Sequence, residues 1–169
     1  QTRSYLLSNP QILPDMAEAY QREQAKDRLA QAPDGVKQPF PGAVLGNPEG
    51  SHVLVKFTDY GCTYCRQSIA GTDELIAADP ELKVVVREWP IFEGSEAAAR
   101  MALAAAKQGK YAAFYHAMFE QGPPSEATIA RAAQIAGLDQ AAAKAFAQSD
   151  EATAELDRNM ALARSMQFS

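Results

Sequence analysis

Apolar and polar positions follow two different periods along this chain. Between Thr2 and Ala32, the residues Ile12, Leu13, Met16, Ala19 and Tyr20 recur at helical spacing. Ser8 and Asn9 suit a cap, Pro10 a first turn, and Asp15 and Glu18 the positive end of a helix. Beyond Glu23 the stripe fades. Such a helix packs either on its own domain or, as an arm, against other subunits, and the pattern leaves both open. Pro33, Gly35, Pro39, Pro41 and Gly42 then have linker composition and predict a boundary near Phe40. The period changes at His52. His52 to Asp59 is a strand-length run of β-branched and aromatic residues that leads into Gly61 and Cys62. A helix from about Cys62 to Ala78, with Ile69, Leu75 and Ile76 on its apolar side, stops before Pro80, and Leu82 to Trp89 reads as a second strand. Two strands joined by a crossover helix run parallel with a right-handed connection.

The remainder of the chain reads as helical. Ser95, Ser125, Asp139 and Ser149 or Asp150 are N-cap residues by type, and Gly109, Gly122 and Gly137 fall where helices end. Tyr111, Phe114, Tyr115 and Phe119 share one helix face and predict core, with His116 in a structural place among them. Leu156, Met160, Ala163 and Met166 repeat the pattern in a helix over residues 151–166. Alanine, about a fifth of the residues, concentrates here and favours helix.

Composition narrows the function classes. With 169 residues, 47% of them hydrophobic, the chain can bury a core. Its longest unbroken apolar run, Met101 to Ala106, is far short of the roughly 20 residues that span a bilayer, so no membrane insertion is expected. A net charge of −5 offers no positive field for nucleic acid. The start at Gln1, with neither an initiator Met nor a signal-type segment, predicts that any export signal has been removed.

The candidate chemistry lies in Cys62-Thr63-Tyr64-Cys65, which contains the only two cysteines. Thiols three residues apart on a helix meet on one face, close enough to close and reopen a disulfide. At a helix N-terminus Cys62 is favoured as thiolate and so as nucleophile. Cys65, one turn further in, is the resolving thiol. A zinc site would need two more ligands, and His52 and His116 lack paired spacing, so no metal is assigned. A permanently closed disulfide over so short a loop would stabilise little.

The segments VLVKFTDYGCTYCRQS, VVVREWPIF, SEAAARMALAAAKQGKYAAFYHAMFEQ and IARAAQIAGLD resemble the DsbA family of thiol–disulfide oxidoreductases in order, spacing and flanks, over about residues 42–169. TRSYLLSNPQILPDMAEAYQREQ resembles the leader helix of the subgroup that includes the suppressor-of-copper-sensitivity C proteins. The resemblance implies an α/β thioredoxin fold with a helical insertion at about 94–166, preceded by an arm and linker over residues 1–41. It also implies a cis-proline loop, two strands and a closing helix after residue 166. The sequence ends at Ser169, short of that loop, so the domain is expected to be C-terminally incomplete: cut off, unordered there, or completed by another chain.

By the same resemblance the protein is bacterial and periplasmic, needs no cofactor, exchanges disulfides with exported cysteine-containing proteins, and has a membrane redox partner of the Dsb type. The leader helix leaves a homo-oligomer through this arm open beside packing on its own domain. Two positions depart from the family. Lys56 stands where members often carry a glutamate that takes the resolving thiol's proton, which leaves Asp59 or Glu88 for that role and gives Lys56 an electrostatic one. Thr63 replaces the commoner proline, while Tyr64 is closer to the isomerase branch, and Arg66 adds a positive charge nearby. The leader helix and Tyr64 slightly favour isomerase or reductase over oxidase. The rival reading is a binding module that holds a soft metal such as copper(I), or unfolded clients, without turnover.

Overall fold

The run Val84-Val85-Val86 has no polar side to give to solvent. In the computed structural model of the chain, which describes residues 2–168 apart from the side chain of Leu29, it lies in the middle strand of a three-stranded sheet. The strands are β1 (Val44–Gly46), β2 (His52–Thr58) and β3 (Leu82–Glu88), in the order β1-β3-β2. β2 and β3 run parallel from the pair His52 and Leu82 to the pair Thr58 and Glu88, and β1 joins β3 antiparallel. The expected parallel pair is therefore present. β1 adds a third strand, too short to show a period in sequence.

Two helices, α1 (Thr2–Ser8) and α2 (Ile12–Ala30), form a compact unit over Gln1–Pro33, and residues from Asp34 onward form a second. In the first unit the chain turns at Asn9 and Pro10, and Tyr5, Leu6, Leu7, Leu13, Met16 and Tyr20 are all exposed. Residues 34–42, read above as linker, belong to the second unit, where Val36 and Phe40 are buried and Phe40 packs on Phe146.

The second unit has six helices: α3 (Thr63–Ala78), α4 (Ser95–Lys107), α5 (Tyr111–Glu120), α6 (Glu126–Ala136), α7 (Gln140–Ala147) and α8 (Asp150–Ser165). α3 is the crossover between β2 and β3, and the other five follow the sheet. α4 is buried along most of its length because its alanines let α5, α6, α7 and α8 approach closely. Tyr111, Phe114, Tyr115 and Phe119 are core residues, as expected. Ser125, Asp139 and Ser149 cap α6, α7 and α8 through side-chain oxygens, and Gly137 ends α6 at φ 71°, a conformation that favours glycine. Ser95 departs from expectation: it is the first residue of α4 rather than its cap, and its hydroxyl donates to Asp59.

His116 is half-buried, and its Nε2 meets both Asp73 oxygens at 3.1 and 3.2 Å, tying α5 to α3. Burial opposes the imidazolium, but the Ala112 carbonyl and Asp73 outweigh it and raise the pKa. A raised histidine pKa stabilises the fold below the ordinary value, near 6.5, and that stability is lost as pH rises through the folded value. His116→Gln is therefore expected to lose about 0.2–1 kcal/mol at pH 5.5, typical of a partly exposed pair, and much less at pH 8.5. Thermal unfolding of both proteins at the two pH values checks this, and an equal loss at both would contradict it.

Candidate active site

The sheet delivers its chemistry at the C-terminal ends of the two parallel strands, where β2 leads through Asp59, Tyr60 and Gly61 into α3. Asp59 is buried and organises this corner. Its carboxylate accepts from the backbone N–H groups of Gly61 (2.7 Å), Ile91 (2.6 Å) and Phe92 (2.8 Å) and from the Ser95 hydroxyl. One side chain thus fixes the cysteine turn, the loop after β3 and the start of α4. Gly61 is needed for space, since a Cβ there would lie 2.8 Å from Ser95 Oγ and 3.1 Å from Phe92 Cβ.

Cys62 is the N-cap of α3. Its backbone is extended, and its Sγ accepts from the Cys65 N–H at 3.3 Å, which places the sulfur at the positive end of the helix. Both cysteines are free and half-buried. Burial raises the Cys65 pKa, the Cys62 thiol beside it adds to the rise, and polar contacts to the Asp59 backbone and the Thr58 hydroxyl offset part of it. Thr63 and Tyr64 are exposed, Tyr64 at 82%, whereas Arg66 is half-buried and donates its N–H to the Cys62 carbonyl.

Lys56 reaches from β2 under α3. Its Nζ donates to Ser68 (2.8 Å) and Thr72 (3.2 Å) and stands 5.7 Å from the centre of the Tyr115 ring. Burial lowers its pKa, and the charges of Cys65 and Asp73 pull it back up. The structure thus brings Lys56, Asp59, Cys62 and Cys65 together. Asp59 reaches Cys65 through its backbone, while its carboxylate serves the loops.

Residue typing gave no sign of the tyrosines around Glu88. Tyr60 and Tyr111 donate to Glu88 Oε1 at 3.0 and 2.5 Å, and all three are buried. Their one sequence signal is position, since Tyr60 and Glu88 lie at the strand ends where α/β sheets carry their sites. A cavity of about 690 Å³, lined by Met101, Ile129, Ala133 and Lys144 among others, lies in the helical insertion and touches neither cysteine. Among the described residues, no three His, Cys, Asp or Glu side chains converge as metal ligands, and no helix is long and apolar enough to cross a membrane.

Comparison with known proteins agrees with this geometry. Residues 53–169 match the family model described as DSBA-like thioredoxin domain, and residues 3–26 match the copper resistance protein ScsC N-terminal domain. No curated protein matches the chain. Among solved structures, the chain is similar to a thioredoxin-like oxidoreductase from Silicibacter pomeroyi, with 43% identity over 82% of each chain and a TM-score of 0.74. It shares its fold with Proteus mirabilis ScsC in a compact conformation, at 22% identity over 99% of this chain and 88% of that one, TM-score 0.71. It also shares its fold with the thiol–disulfide exchange protein alpha-DsbA2 from Wolbachia pipientis, at 23% identity over 88% and 81%, TM-score 0.75.

Proposed function

Since the chain belongs to the DSBA-like thioredoxin family of thiol–disulfide oxidoreductases, we propose that Cys62 and Cys65 are its redox pair, with Cys62 as nucleophile and Cys65 as resolving thiol. The carrying observation is the position of Cys62 as the α3 cap, its sulfur at the helix N-terminus and Cys65 one turn inside. The Cys62 thiolate attacks a client disulfide, forming a mixed disulfide and releasing one client thiolate. Cys65 then displaces the second, so the client gains two electrons and the pair closes. The reverse course donates a disulfide. Exposed Tyr64, with Ile91 and Phe92 held next to the turn by Asp59, gives an apolar rim for an extended client chain.

The clients are exported proteins with cysteines, and the compartment is the periplasm, where disulfides persist. A membrane reductase or oxidase of the Dsb type resets the pair. The exposed apolar stripe on α1 and α2 supports assembly of several copies through this arm. With Tyr64, that favours isomerase or reductase over oxidase. The copper in the name of the domain matched by residues 3–26 supports a second reading, capture of copper(I) by the two thiolates without turnover.

Titration in glutathione buffers, with free thiols alkylated and counted by mass, tests both. One reversible two-electron transition is expected. A midpoint near about −120 mV would mark a disulfide donor, and about −200 mV or lower an isomerase or reductase. Cys62→Ser is expected to abolish exchange. A Cys62→Ser protein that still exchanges disulfides overturns the mechanism. Stoichiometric copper that survives dialysis, with no redox transition, supports the binding module instead.

A further inference from the structure

The packing of β2 against α3 sets a cation, Lys56, under the helix without an anion of its own. Lys56 is half-buried, and among the described residues it forms no ion pair. Asp73, whose charge it feels, is engaged by His116. An ammonium drawn out of water without a carboxylate partner costs solvation, so its retention calls for another use of the charge. Hydroxyls hold it in place. Its Nζ donates to Ser68 Oγ at 2.8 Å and to Thr72 Oγ1 at 3.2 Å, which leaves one ammonium N–H unassigned. Both hydroxyls spend their own protons on α3 carbonyls, Ser68 on that of Cys65 at 2.7 Å and Thr72 on that of Ser68 at 2.8 Å. A single hydroxyl therefore links the ammonium to the backbone of the resolving cysteine. The Tyr115 ring, from α5, lies 5.7 Å from Nζ and adds the attraction of its face.

We propose that Lys56 stabilises Cys65 as the thiolate that leaves when the closed pair is opened, and so sets how fast the pair accepts electrons. The proposal rests on the reading of Cys62 and Cys65 as a redox pair. A client thiolate attacks Cys62 Sγ, and a new S–S bond forms between them. The bond from Cys62 to Cys65 breaks, and its electron pair stays on Cys65 Sγ. That anion gets little help from the helix. The Cys62 sulfur caps α3, whereas Cys65 lies a turn further in, and the favourable end of the dipole fades within the first turn. Burial opposes a charge on Cys65 as well. A cation fixed beneath the same turn supplies what position and burial withhold, and a thiol of lower proton affinity leaves faster. No proton moves, since the ammonium acts as a charge. Resolution is the same step run backwards: the Cys65 anion attacks Cys62 Sγ and the client sulfur departs with the electron pair.

The groups that bear on this charge come from two helices. α3 brings Cys65 and Asp73, and α5 brings Tyr115 and His116. Tyr115 is raised by burial and stays neutral at the pH of exchange, and His116, the other cation when protonated, is paired with Asp73. Facing Cys65 itself are Cys62, Lys56 and Tyr115. Lys56 is thus the one group of this set that brings the sulfur an unpaired positive charge.

The test follows the opening of the oxidised full chain by excess dithiothreitol, with acid quenching and mass analysis. Beside it, the Cys65 thiolate is titrated by its ultraviolet absorbance in the Cys62→Ser background. Lys56→Met removes the charge and keeps the stem, while Lys56→Arg keeps the charge. A nearby opposite charge changes a thiol's proton affinity about ten-fold or more, and exchange rates follow thiol pKa with a coefficient of about 0.4–0.5. Lys56→Met is therefore expected to move the Cys65 titration up by at least about one pH unit and to slow opening at least about three-fold. Lys56→Arg is expected to restore both. Wild-type values in Lys56→Met, a shifted titration with an unchanged rate, or equal losses in the Met and Arg variants would each overturn the assignment. If Lys56→Met fails to fold, Lys56→Gln, which still donates to Ser68 but carries no charge, decides in its place. A wild-type pair that does not close and reopen would overturn the redox-pair reading and this one with it, whereas normal wild-type opening with an unaffected Lys56→Met overturns this one alone.

Discussion

Arg87→Met is expected to lower the unfolding free energy by roughly 3–5 kcal/mol, the range for breaking a buried, hydrogen-bonded ion pair. Arg87 is 1% exposed and spends its donors on two segments, the turn at residues 35–38 and α8. Nε and Nη2 reach the carbonyls of Gly35, Val36 and Gln38, at 2.7 Å for Gly35, while Nη1 reaches Asn159 Oδ1 at 3.1 Å and Glu155 Oε1 at 3.3 Å. Removing it takes the side-chain donor from the carbonyls of Val36 and Gln38 and from Asn159 Oδ1, and leaves Arg158, whose side chain is largely exposed, as the ion-pair partner of the buried Glu155 carboxylate. The double variant Arg87→Met, Glu155→Leu separates these effects. Taking out both charges is expected to recover the ionic part but not the loss at the carbonyls. Urea unfolding of the wild type and the two variants checks both statements, and a single-variant loss under about 1 kcal/mol would contradict the first.

That network explains why some of the fold was legible in sequence and some was not. α3 could be read because its determinants are local: Gly61 before it, Pro80 after it, and a cysteine pair whose spacing matters only on a helix. The caps at Ser125, Asp139 and Ser149 were legible for the same reason, since each hydroxyl or carboxylate bonds an N–H three residues on. Residues 34–42 have linker composition because prolines and glycines shape their turns. What holds them to the second unit is an arginine some fifty positions away, and no local pattern encodes that. β1 is a strand only because β3 offers it an edge.

Within the site the same division holds. The Asp59 contact to the Gly61 N–H is an Asx-turn, which Asp-Tyr-Gly before the cysteines could have signalled. Its bonds to Ile91, Phe92 and Ser95 span more than thirty residues. Lys56 was singled out through the family resemblance, and its contacts with Ser68 and Thr72 come from the packing of α3 on β2. Glu88 was named through the family resemblance, but nothing local in the sequence marks it as buried. Its burial follows from Tyr60, Tyr111 and Asn159 closing over it, with Asn159 Nδ2 donating to its carbonyl at 3.0 Å.

The buried Glu88 also sets the second large effect, on stability against pH. Burial, partly offset by the two tyrosine hydroxyls, raises its pKa to about 8. Between the ordinary carboxylate value near 4.5 and about 8, the unfolded chain has released this proton while the folded chain keeps it. The folded state then binds more protons, so stability falls as pH rises across that window, by on the order of several kcal/mol in all. Glu88→Gln has no proton to lose. Its Oε1 still accepts from both tyrosines, and its amide N stands where the acid's O–H would be. The variant is therefore expected to match the wild type near pH 4.5 and to exceed it progressively toward pH 8, by about 10 °C in melting temperature. His116 makes the wild type lose stability in the same direction, but it is common to both proteins and drops out of the difference. Tyr60 and Tyr111 are raised well above their ordinary values and stay neutral across the window. A difference between the two melting curves that stays constant from pH 4.5 to 8 would mean that Glu88 ionises in the folded chain as easily as in the unfolded one. A difference that grows and then levels off near pH 8 would show a carboxyl whose burial costs stability once it must ionise.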